Sequence, residues 1–306
     1  MQPHTIVVRA PATSANLGPG FDCLGLALDL WNEVVATRAD TWSVNVSEGT
    51  SNDLPIEDNL ILQAARAVFE HFREPFPPFE LRCANHIPVG RGLGSSAAAI
   101  ACGLLLANRY LEGPLSSREL VDMAAQLEGH PDNVAPCLLG GVRAAALDAD
   151  RRVVQAEIPL RLSLRLAVFV PDAPLPTALA RAALPTSVEF ADAVFNVGRA
   201  GLLVASLASG DGSSLREAMR DRLHQPYRAP LFPTGPKLIK AAIRAGAFGA
   251  CISGAGPSVL ALCADEDTAV AVRHELDATA QQDGVPGASL LLSISHRGAH
   301  VVHAEQ

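Results

Sequence analysis

Four short stretches near the start of the chain alternate between apolar and polar residues, at positions 5–9, 33–38, 42–46 and 79–83. This period of two is typical of a β-strand with one buried face, so we expect four strands here. Positions 58–72 instead repeat at helical spacing, with apolar residues at 60, 64, 67, 68 and 72. The first part of the chain therefore mixes strands with a helix.

Helix signals become frequent after the glycines at positions 90–94. We expect an Ala- and Leu-rich helix from these glycines to about residue 110, and Ser116-x-x-Glu119 is a capping box that begins a second helix ending near residue 127. Strands are expected at 142–147 and 162–170. Three prolines within positions 171–176 then mark a boundary between two halves of the chain.

The second half begins with helical patterns, expected at 177–183, 188–208, 214–223 and 236–245. Two strands follow around a glycine turn, at 248–252 and 258–263, then a helix from about residue 267 and closing strands at 289–295 and 300–303. Strands that cluster with helices without strictly alternating with them favour an α+β fold over a doubly wound parallel sheet.

The charge balance argues against nucleic-acid and membrane partners. Lys and Arg number 24 against 32 Asp and Glu, a formal charge of −8, and the chain has no block of like charges. The longest apolar run, at 97–107, is well short of the roughly 20 residues that span a bilayer. No basic region precedes an apolar stretch at the N-terminus, so we expect no secretory signal and a soluble, cytoplasmic protein.

Cysteine, histidine and lysine usage narrows the chemistry. The six cysteines form no CxxC pair, so we expect reduced, mostly buried thiols, and the nine histidines show no HExxH zinc motif. Lys237 and Lys240 are the only lysines, and neither lies in a GxxxxGK[ST] loop or in a strand like VAIK. P-loop NTPases and protein kinases are therefore excluded, and any phosphate chemistry must use other groups.

A glycine loop at 88–97, PVGRGLGSSA, connects a predicted strand to the Ala-rich helix. Glycines at 90, 92 and 94 permit positive φ and close approach of the backbone, and the helix start offers unpaired N–H groups to an anion. Phosphate binding is the functional interpretation. The structural alternative is that Ser95 or Ser96 merely caps the helix.

A further alternative for this loop is the dinucleotide fingerprint, because Gly92-x-Gly94-x-x-Ala97 fits the pattern G-x-G-x-x-A. That fingerprint requires a second parallel strand that ends in an acidic residue about 20 positions on. Here the acidic residue, Glu112, lies between two predicted helices. The context therefore weighs against a dinucleotide site.

Three further loops place polar side chains between apolar segments. Residues 11–28 hold Asn16 and Asp22 among three glycines, an ordinary loop or part of a site. Residues 128–133 offer one carboxylate for Mg²⁺ and another near a substrate hydroxyl; alternatively, Asp132 or Asn133 caps the turn that follows. The glycine turn at 252–258 indicates a tight hairpin, or a close approach of another backbone or a ligand.

Four strings in this order resemble the GHMP superfamily of small-molecule kinases: PATSANLGPGFDCLGLAL (11–28), PVGRGLGSSAAA (88–99), EGHPDNVAP (128–136) and CISGAGPSV (251–259). The first and third are similar in particular to those of homoserine kinases. EDNLI (57–61) and HQPYRAPLFP (224–233) support the resemblance, which covers most of the chain. Four ordered motifs are far more specific than any one of them.

The resemblance implies a two-domain α+β fold with ATP bound between the domains. Residues 1–160 are expected to resemble ribosomal protein S5 domain 2 and to carry the phosphate loop, and residues 161–306 to be ferredoxin-like. The implied reaction is phosphorylation of the side-chain hydroxyl of L-homoserine by ATP with Mg²⁺, in threonine biosynthesis. A homodimer is one expected assembly.

Three other functions stay open on the sequence alone. The first is another GHMP kinase, such as one for mevalonate, which has a carboxylate but no ammonium group and would leave Asp22 without a role. The second is a nucleotide-binding regulator without catalysis, against which the intact Ser96, Glu128 and HPDN turn argue. The third is a Rossmann-type oxidoreductase.

The resemblance also assigns roles to the nucleotide-binding positions. Asn59 is expected near the adenine, and Mg²⁺ on Ser96 and Glu128, with Asp122 and Asp132 as alternatives to Glu128. The triphosphate is expected along the loop formed by Pro88, Val89, Gly90, Arg91, Gly92, Leu93, Gly94, Ser95, Ser96, Ala97 and Ala98.

The amino-acid pocket corresponds to five positions: Asn16, Asp22, Asn133, Arg181 and Arg228. Arginines pair bidentately with a carboxylate, and Asp22 is suited to the ammonium group of a zwitterion. Asp132 and Asn133 are the candidate catalytic positions. The identity of a base stays open, because homoserine kinases lack an obvious one and phosphoryl transfer depends mainly on positioning and charge neutralisation.

Overall fold

Two β-sheets form the frame of the molecule, and the computed structural model describes residues 3–49 and 58–305. Glu57, the first residue of the EDNLI string, lies outside the described residues. The strands are β1 (Thr5–Ala15), β2 (Leu24–Arg38), β3 (Ser43–Gly49), β4 (Phe79–Asn85), β5 (Val142–Leu147), β6 (Val153–Glu157), β7 (Arg165–Pro171), β8 (Gly249–Ile252), β9 (Val259–Cys263), β10 (Gly287–Leu292) and β11 (His300–Glu305). The helices are α1 (Leu60–Phe72), α2 (Ser95–Tyr110), α3 (Ser117–Glu128), α4 (Pro131–Leu139), α5 (Thr177–Ala182), α6 (Phe190–Ser209), α7 (Leu215–Ala218), α8 (Gln225–Arg228), α9 (Gly235–Arg244) and α10 (Glu266–Gln282).

The larger sheet is built around β2, a strand of 15 residues. Its order is β11-β1-β2-β4-β3, and β5 pairs with both β2 and β6. The pairing is antiparallel except between β3 and β4. Helices α2 and α4 pack on this sheet, and α1 packs on α2. The core between them holds the largest fully buried side chains, among them Tyr110, Phe69 and Phe79.

The starts of α2 and α4 meet the larger sheet at the same place. The Thr13 N–H of β1 donates to the Leu93 carbonyl oxygen at 3.0 Å, just before α2 begins. Gly25 of β2 lies so close to α4 that a Cβ would be 1.9 Å from the Asp132 carbonyl oxygen. Both helix N-termini are therefore fixed beside the turn that joins β1 to β2.

The smaller sheet has the antiparallel order β10-β7-β9-β8 and is buried on both faces around β7 and β9. Along β7, Leu166 and Val168 face the main core, whereas Ala167 and Phe169 face a second core formed with α9 and α10. Strands buried on both faces are nearly continuous apolar runs, as RLAVFVP and VLALC are. The elements follow one another as β-α-β-β-α-β, the order of a ferredoxin-like unit.

The chain returns to the larger sheet after β10. Residue 29 donates its N–H to the Ser293 carbonyl oxygen at 2.9 Å, and the Ser295 N–H donates to the Ala27 carbonyl oxygen at 2.9 Å. Strand β11 then pairs antiparallel with β1. The segment that leaves β10 of the smaller sheet therefore bonds directly to β2 of the larger sheet. The division of the chain into residues 1–160 and 161–306 stays a prediction.

Most predicted elements are present, and the largest errors lie in polar segments. The helix expected at 214–223 is wrong: a 3-10 turn and the four-residue α7 replace it. The reason is Asp221, whose carboxylate accepts hydrogen bonds from the N–H groups of residues 223, 224 and 225 and so begins a new turn. Residues 11–28 are mostly strand rather than loop. The apolar pattern does not predict α4, β6 or α8, which are short.

All six cysteine thiols are free, as expected, and five of them are buried. Burial raises the pKa of the Cys83 thiol to about 11 and that of Cys251 to about 12, so these thiols stay protonated and unreactive near neutral pH.

Helix α6 is, within the described residues, the one helix long and apolar enough to cross a membrane by length and composition, which alone is weak support for a span. Its buried Asn196 donates to the Pro19 carbonyl oxygen at 3.1 Å and to the Asp221 carboxylate at 2.8 Å. These contacts attach α6 to the turn between β1 and β2.

Gly103 allows α1 and α2 to pack closely, and we expect Gly103→Ala to destabilise the protein. A Cβ at position 103 would lie 2.1 Å from the Ile61 carbonyl oxygen, so α1 would have to shift. Such overpacking costs about 1–3 kcal/mol, which should outweigh the roughly 1 kcal/mol that Ala gains over Gly in a helix. Urea unfolding measures the change in the free energy of unfolding.

Gly198→Ala in α6 is the matched control, because no described atom lies within 4 Å of an added Cβ there. This variant should gain up to about 1 kcal/mol. Equal effects of the two substitutions would contradict the close packing at Gly103.

Candidate active site

A pocket lies where the turn between β1 and β2, the glycine loop, the HPDN turn and the second glycine turn meet. It contains all five residues predicted for the amino acid and both predicted metal ligands. Its lining residues are Asn16, Asp22, Gly90, Gly92, Gly94, Ser95, Ser96, Glu128, His130, Asp132, Asn133, Thr177, Arg181, Arg228, Gly254 and Ala255.

The glycine loop presents bare backbone to this pocket. Gly90, Gly92 and Gly94 have φ angles of 70°, 74° and 68°, which favour glycine. Helix α2 begins at Ser95, behind an N-cap Gly94 that makes no side-chain cap hydrogen bond. Neither Ser95 nor Ser96 is the N-cap, so that alternative is wrong. The first N–H groups of a long helix are free to bind an anion.

The dinucleotide alternative fails on topology. Helix α2 is followed by α3 rather than by a second parallel strand, and Glu112 lies in the turn between these helices. The loop therefore lacks the βαβ setting of the fingerprint.

The second glycine turn packs directly against the phosphate loop. A Cβ on Gly92 would lie 2.2 Å from the Ser253 carbonyl oxygen, so no side chain fits between the two backbones. The Ser253 hydroxyl lies 2.6 Å from the Gly92 carbonyl oxygen and 2.8 Å from the Ser14 hydroxyl. The turn at 252–258 joins the antiparallel strands β8 and β9 as a hairpin and is also the close approach of another backbone, so both sequence interpretations hold.

The side chains of the phosphate loop mostly avoid the pocket. Leu93, Ala97 and Ala98 are buried in the core. The Arg91 guanidinium donates to the carbonyl oxygens of Val89 and Asp172, which ties the loop to the second half of the chain. The groups left for an anion are backbone N–H groups and the hydroxyls of the two serines that begin α2.

Asn16 holds the first turn in shape and against the second half. Asn16 and Asp22 both have positive φ, 69° and 54°, which Asn and Asp tolerate better than most residues. The Asn16 Oδ1 accepts from the Asp22 N–H at 3.0 Å, and its Nδ2 donates to the Gly254 carbonyl oxygen at 2.8 Å. These bonds present the Asp22 side chain to the pocket.

Asp22 and Arg181 form a bidentate ion pair within the pocket. Arg181 Nη1 is 3.0 Å from Asp22 Oδ2, and Nη2 is 2.7 Å from Oδ1. The hydrogen bonds to Asp22 raise the pKa of Arg181. The sequence predicts these residues at opposite ends of a zwitterion; the structure brings both to the pocket and pairs them with each other.

Arg228 is a buried cation, with 2% of its surface exposed. Its Nε donates to the Ala180 carbonyl oxygen at 3.2 Å, and its Nη1 to the Gly254 carbonyl oxygen at 3.0 Å. Burial, and then the positive charge of Arg181, lower the pKa of Arg228, although nearby carboxylates oppose this. Because these bonds use Nε and Nη1, Nη2 is left for an anionic ligand group.

The HPDN turn begins α4 with His130 as the N-cap, so the interpretation of Asp132 or Asn133 as a cap is wrong. His130 Nδ1 lies 2.5 Å from Asp132 Oδ1, and Asp132 is 2% exposed. Burial lowers the pKa of His130, but the hydrogen bond and charge of Asp132, with the charge of Glu128, outweigh burial and raise it. The Asp132 carboxylate thus stabilises the protonated form of His130.

Three possible metal-ligand atoms, from Asp22, His130 and Asp132, lie within 4.8 Å of one another in the described part of the chain. Each already has an ionic partner, because Asp22 pairs with Arg181 and Asp132 with His130. This cluster is a set of compensated charges.

Ser96 and Glu128 meet at the start of α2, where the Ser96 hydroxyl donates to Glu128 Oε1 at 2.5 Å. A hydroxyl and a carboxylate are hard oxygen donors, and Mg²⁺ is commonly held by one or two such groups together with substrate phosphates. The donor set therefore fits Mg²⁺ beside a phosphate loop. Asp122 instead accepts from the Val153 N–H at 2.6 Å, outside the pocket, which removes it as an alternative ligand.

A second cavity lies on the other side of Ser95 and Ser96, which line both cavities. It is largely apolar, with Val44, Val46 and Leu60 among its lining residues. Asn59 also lines it, although the Asn59 Oδ1 caps α1 by accepting from the N–H groups of residues 61 and 62. The amide Nδ2 is the end of this side chain left for a planar base.

Sequence reasoning gives no role to two side chains that shape the site. Thr13 Oγ1 donates to Asn133 Oδ1 at 2.7 Å and so turns the Asn133 amide. Thr13 lies in the first string, but nothing in its pattern marks one threonine as a partner of the HPDN turn. His130 stands inside the quoted EGHPDNVAP string, and its neighbour Asp132 is the signal that could have found it.

Two family models match the chain: GHMP kinases N terminal domain over residues 59–141, and GHMP kinases C terminal over residues 203–282. They confirm the predicted superfamily.

Curated relatives and a solved structure extend the match to nearly the whole chain. The homoserine kinase of a Synechococcus strain is 44% identical, over 96% of this chain and 97% of that protein. The homoserine kinase of Gloeobacter violaceus is 48% identical, over 89% and 92%. The crystal structure of homoserine kinase from Cytophaga hutchinsonii aligns with a TM-score of 0.88 at 30% identity and covers 98% of both chains. These matches confirm the predicted two-domain fold.

We expect Thr13→Val to weaken both the fold and the turnover of the enzyme. Val keeps the shape of Thr but leaves the buried Asn133 amide without its donor, a loss of about 1–3 kcal/mol. Freed from Thr13, the amide also loses its fixed orientation beside Asp132. Thermal unfolding and steady-state kinetics measure the two effects.

Thr13→Ser is the control, because it keeps the hydroxyl. It should retain most of the turnover even if the lost methyl group lowers stability. A Val variant with wild-type turnover would show that the Asn133 orientation does not matter for the reaction.

Proposed function

Because this chain belongs to the GHMP kinases and, within them, to the homoserine kinases, we propose that the pocket described above is where it phosphorylates L-homoserine. The reaction transfers a phosphoryl group from ATP to the side-chain hydroxyl and yields O-phospho-L-homoserine, a step toward threonine. The observation that carries the proposal is the convergence of paired acidic and basic groups with a bare phosphate loop in one cavity.

We propose that the two cavities divide the substrates. ATP lies with its base in the apolar cavity beside Asn59 and its phosphates along the glycine loop, and homoserine lies in the polar pocket. Ser95 and Ser96 line both cavities, so the γ-phosphate would reach the boundary between them. In-line transfer requires this adjacency.

The zwitterionic substrate fits the charges of the polar pocket. Arg228, buried with Nη2 unused, would bind the carboxylate of homoserine. Asp22 would bind the ammonium group. Arg181 would either stay paired with Asp22 or bind the carboxylate of homoserine. Mevalonate has no ammonium group, so this pocket favours an amino acid.

Charge neutralisation at the phosphates must come from sources other than lysine. The first N–H groups of α2 and their helix dipole supply part of the field. Mg²⁺, held by Ser96 and Glu128 together with the phosphates, would neutralise charge that develops on the transferred group. Buried Asp132 and Asn133 would orient the hydroxyl. The Asp132 carboxylate already bonds His130, and a late proton transfer makes a strong base unnecessary.

The protein is expected to act in the cytoplasm as a catalytically competent enzyme rather than as a nucleotide-binding regulator. The residues that a kinase needs at the metal and hydroxyl positions, Ser96, Glu128 and Asp132, are present and in mutual reach of one cavity.

A substrate panel tests the function directly. With ATP and Mg²⁺, ADP release should be stimulated by homoserine far above serine, threonine or mevalonate, and mass spectrometry should detect O-phosphohomoserine. Stronger stimulation by mevalonate would contradict the amino-acid pocket. ATP binding without ADP release for any of these alcohols would support the regulator.

Glu128→Gln tests the metal assignment. The substitution keeps the shape of the side chain and its capacity to accept from Ser96 but removes the charge. We expect a lower kcat and a several-fold higher Mg²⁺ requirement, with an unchanged Tm within a few degrees.

Asp122→Asn is the matched control, since it removes the same charge from the same helix outside the pocket. It should lower stability and leave the Mg²⁺ requirement unchanged. An unchanged Mg²⁺ requirement in Glu128→Gln would move the metal to Asp132.

A further inference from the structure

A fully buried imidazole lies behind the carboxylate-binding arginine. His224, which is 0% exposed, precedes α8 and contacts both halves of the site. Its Nε2 is 2.7 Å from the Gly18 carbonyl oxygen in the turn between β1 and β2. Its Nδ1 is 3.1 Å from Arg228 Nη1. One ring therefore joins the turn that carries Asp22 to the arginine that would bind the substrate carboxylate.

The two partners of the ring determine where its proton lies. A carbonyl oxygen only accepts, so Nε2 carries the hydrogen and donates it to Gly18. A guanidinium only donates, so Nδ1 must offer its lone pair to Arg228. This arrangement requires a neutral imidazole in a single tautomer. A proton on Nδ1 would break the bond to Arg228 and bring two positive charges together.

The surroundings agree with a neutral ring. Burial lowers the pKa of His224, and so does the charge of Arg228, while the carboxylates of Asp221 and Asp22 oppose this. Asp221 Oδ2 is 3.6 Å from Nε2 and is itself occupied by the N–H groups of residues 224 and 225. Of the residues that the structure describes, Arg228, Asp221 and Asp22 are the charged groups that act on the ring.

Most of the hydrogen bonds that the Arg228 guanidinium donates go to backbone acceptors, which a substitution cannot remove. These acceptors are the backbone carbonyl oxygens of Ala180 and Gly254, so within the described part of the chain His224 is the one side chain that accepts from the guanidinium. Phe21 stacks on the His224 ring with centroids 5.3 Å apart and also lies 5.3 Å from the Arg228 guanidinium carbon. The imidazole, the aromatic ring and the guanidinium thus form one packed unit.

We propose that His224 is a positioning residue for homoserine: its neutral Nε2–H tautomer fixes the position of Arg228 relative to the turn that carries Asp22. The carboxylate and the ammonium group of the zwitterion can then be bound at the same time. The role rests on the proposed function, because it acts through the binding of the substrate carboxylate by Arg228. His224 touches neither the phosphates nor the reacting hydroxyl. It should therefore affect homoserine binding and leave the chemical step and ATP nearly unchanged.

The tautomer is measured first and needs no substrate. Long-range ¹H–¹⁵N NMR spectra of the wild-type protein at pH 7.5, compared with those of His224→Phe, assign the ring signals. We expect an unprotonated Nδ1 and a protonated Nε2. A protonated Nδ1, in the other tautomer or in a charged ring, would overturn the proposal whatever the substrate of the enzyme.

Kinetics then separate positioning from support of the fold. His224→Phe fills the space but removes both polar atoms, and we expect KM for homoserine to rise about tenfold, equivalent to about 1.4 kcal/mol. The kcat and KM for ATP should change less than twofold. His224→Gln, which keeps one donor and one acceptor, should restore part of the loss. Parallel weakening of homoserine and ATP would reduce His224 to a structural residue.

His300→Phe is the matched control. Its ring also bonds a backbone carbonyl oxygen, Gly298 at 2.9 Å, but lies outside the pocket. It should leave KM for homoserine unchanged. An equal KM change in this control would remove the specific role of His224.

A double-mutant cycle with Arg228→Ala tests whether His224 acts through Arg228. If so, His224→Phe should have little further effect on KM for homoserine once the Arg228 side chain has been removed, whereas additive effects would overturn the mechanism.

The pH profile gives a separate readout. In the wild type, KM for homoserine should rise as pH falls through the pKa of His224, and this rise should be absent in His224→Phe. If the wild type phosphorylates another alcohol instead, the proposed function fails while the tautomer result stands.

Discussion

The approach of two glycine turns, backbone against backbone, is the constraint on which the rest of the site depends. A Cβ on Gly92 in the phosphate loop would overlap the Ser253 carbonyl oxygen. A Cβ on Gly25 would likewise overlap the Asp132 carbonyl oxygen. These contacts bring the starts of α2 and α4, the first turn and the smaller sheet to one point. A side chain at either glycine would push these segments apart.

The low number of lysines in the chain shapes the distribution of charge in the site. In the proposed arrangement, the positive field at the phosphates would come from a helix start and a metal, and the arginines that line the pocket would bind the other substrate. Asp22 is paired with Arg181 and Asp132 with His130, so the pocket holds few uncompensated charges. A zwitterion can enter such a pocket by taking the place of one partner in each ion pair. This costs less desolvation free energy than placing a single ion beside unpaired charges.

Much of the fold and site could be predicted from the sequence because different signals carry them. The spacing of apolar residues along the chain predicts β4, α1, β7 and α10, because their buried positions follow that spacing. Ordered glycine and polar strings give the residues of the pocket. The contacts between strings could not be predicted: Thr13 with Asn133, or His224 with Gly18, join residues 120 and 206 positions apart. The expected helix at 214–223 fails for a local reason, since the Asp221 carboxylate competes for backbone N–H groups.

The return of β11 to the larger sheet has a consequence for how the protein is made. Residues 5–9 of β1 pair along their outer edge with residues 300–305, and residues 293–295 add backbone hydrogen bonds to β2. During synthesis the amino-terminal half emerges first and can form its helices and β1–β2 hairpin, but that edge stays open until residues 300–305 have left the ribosome. The larger sheet is therefore completed only after the whole smaller sheet has been translated.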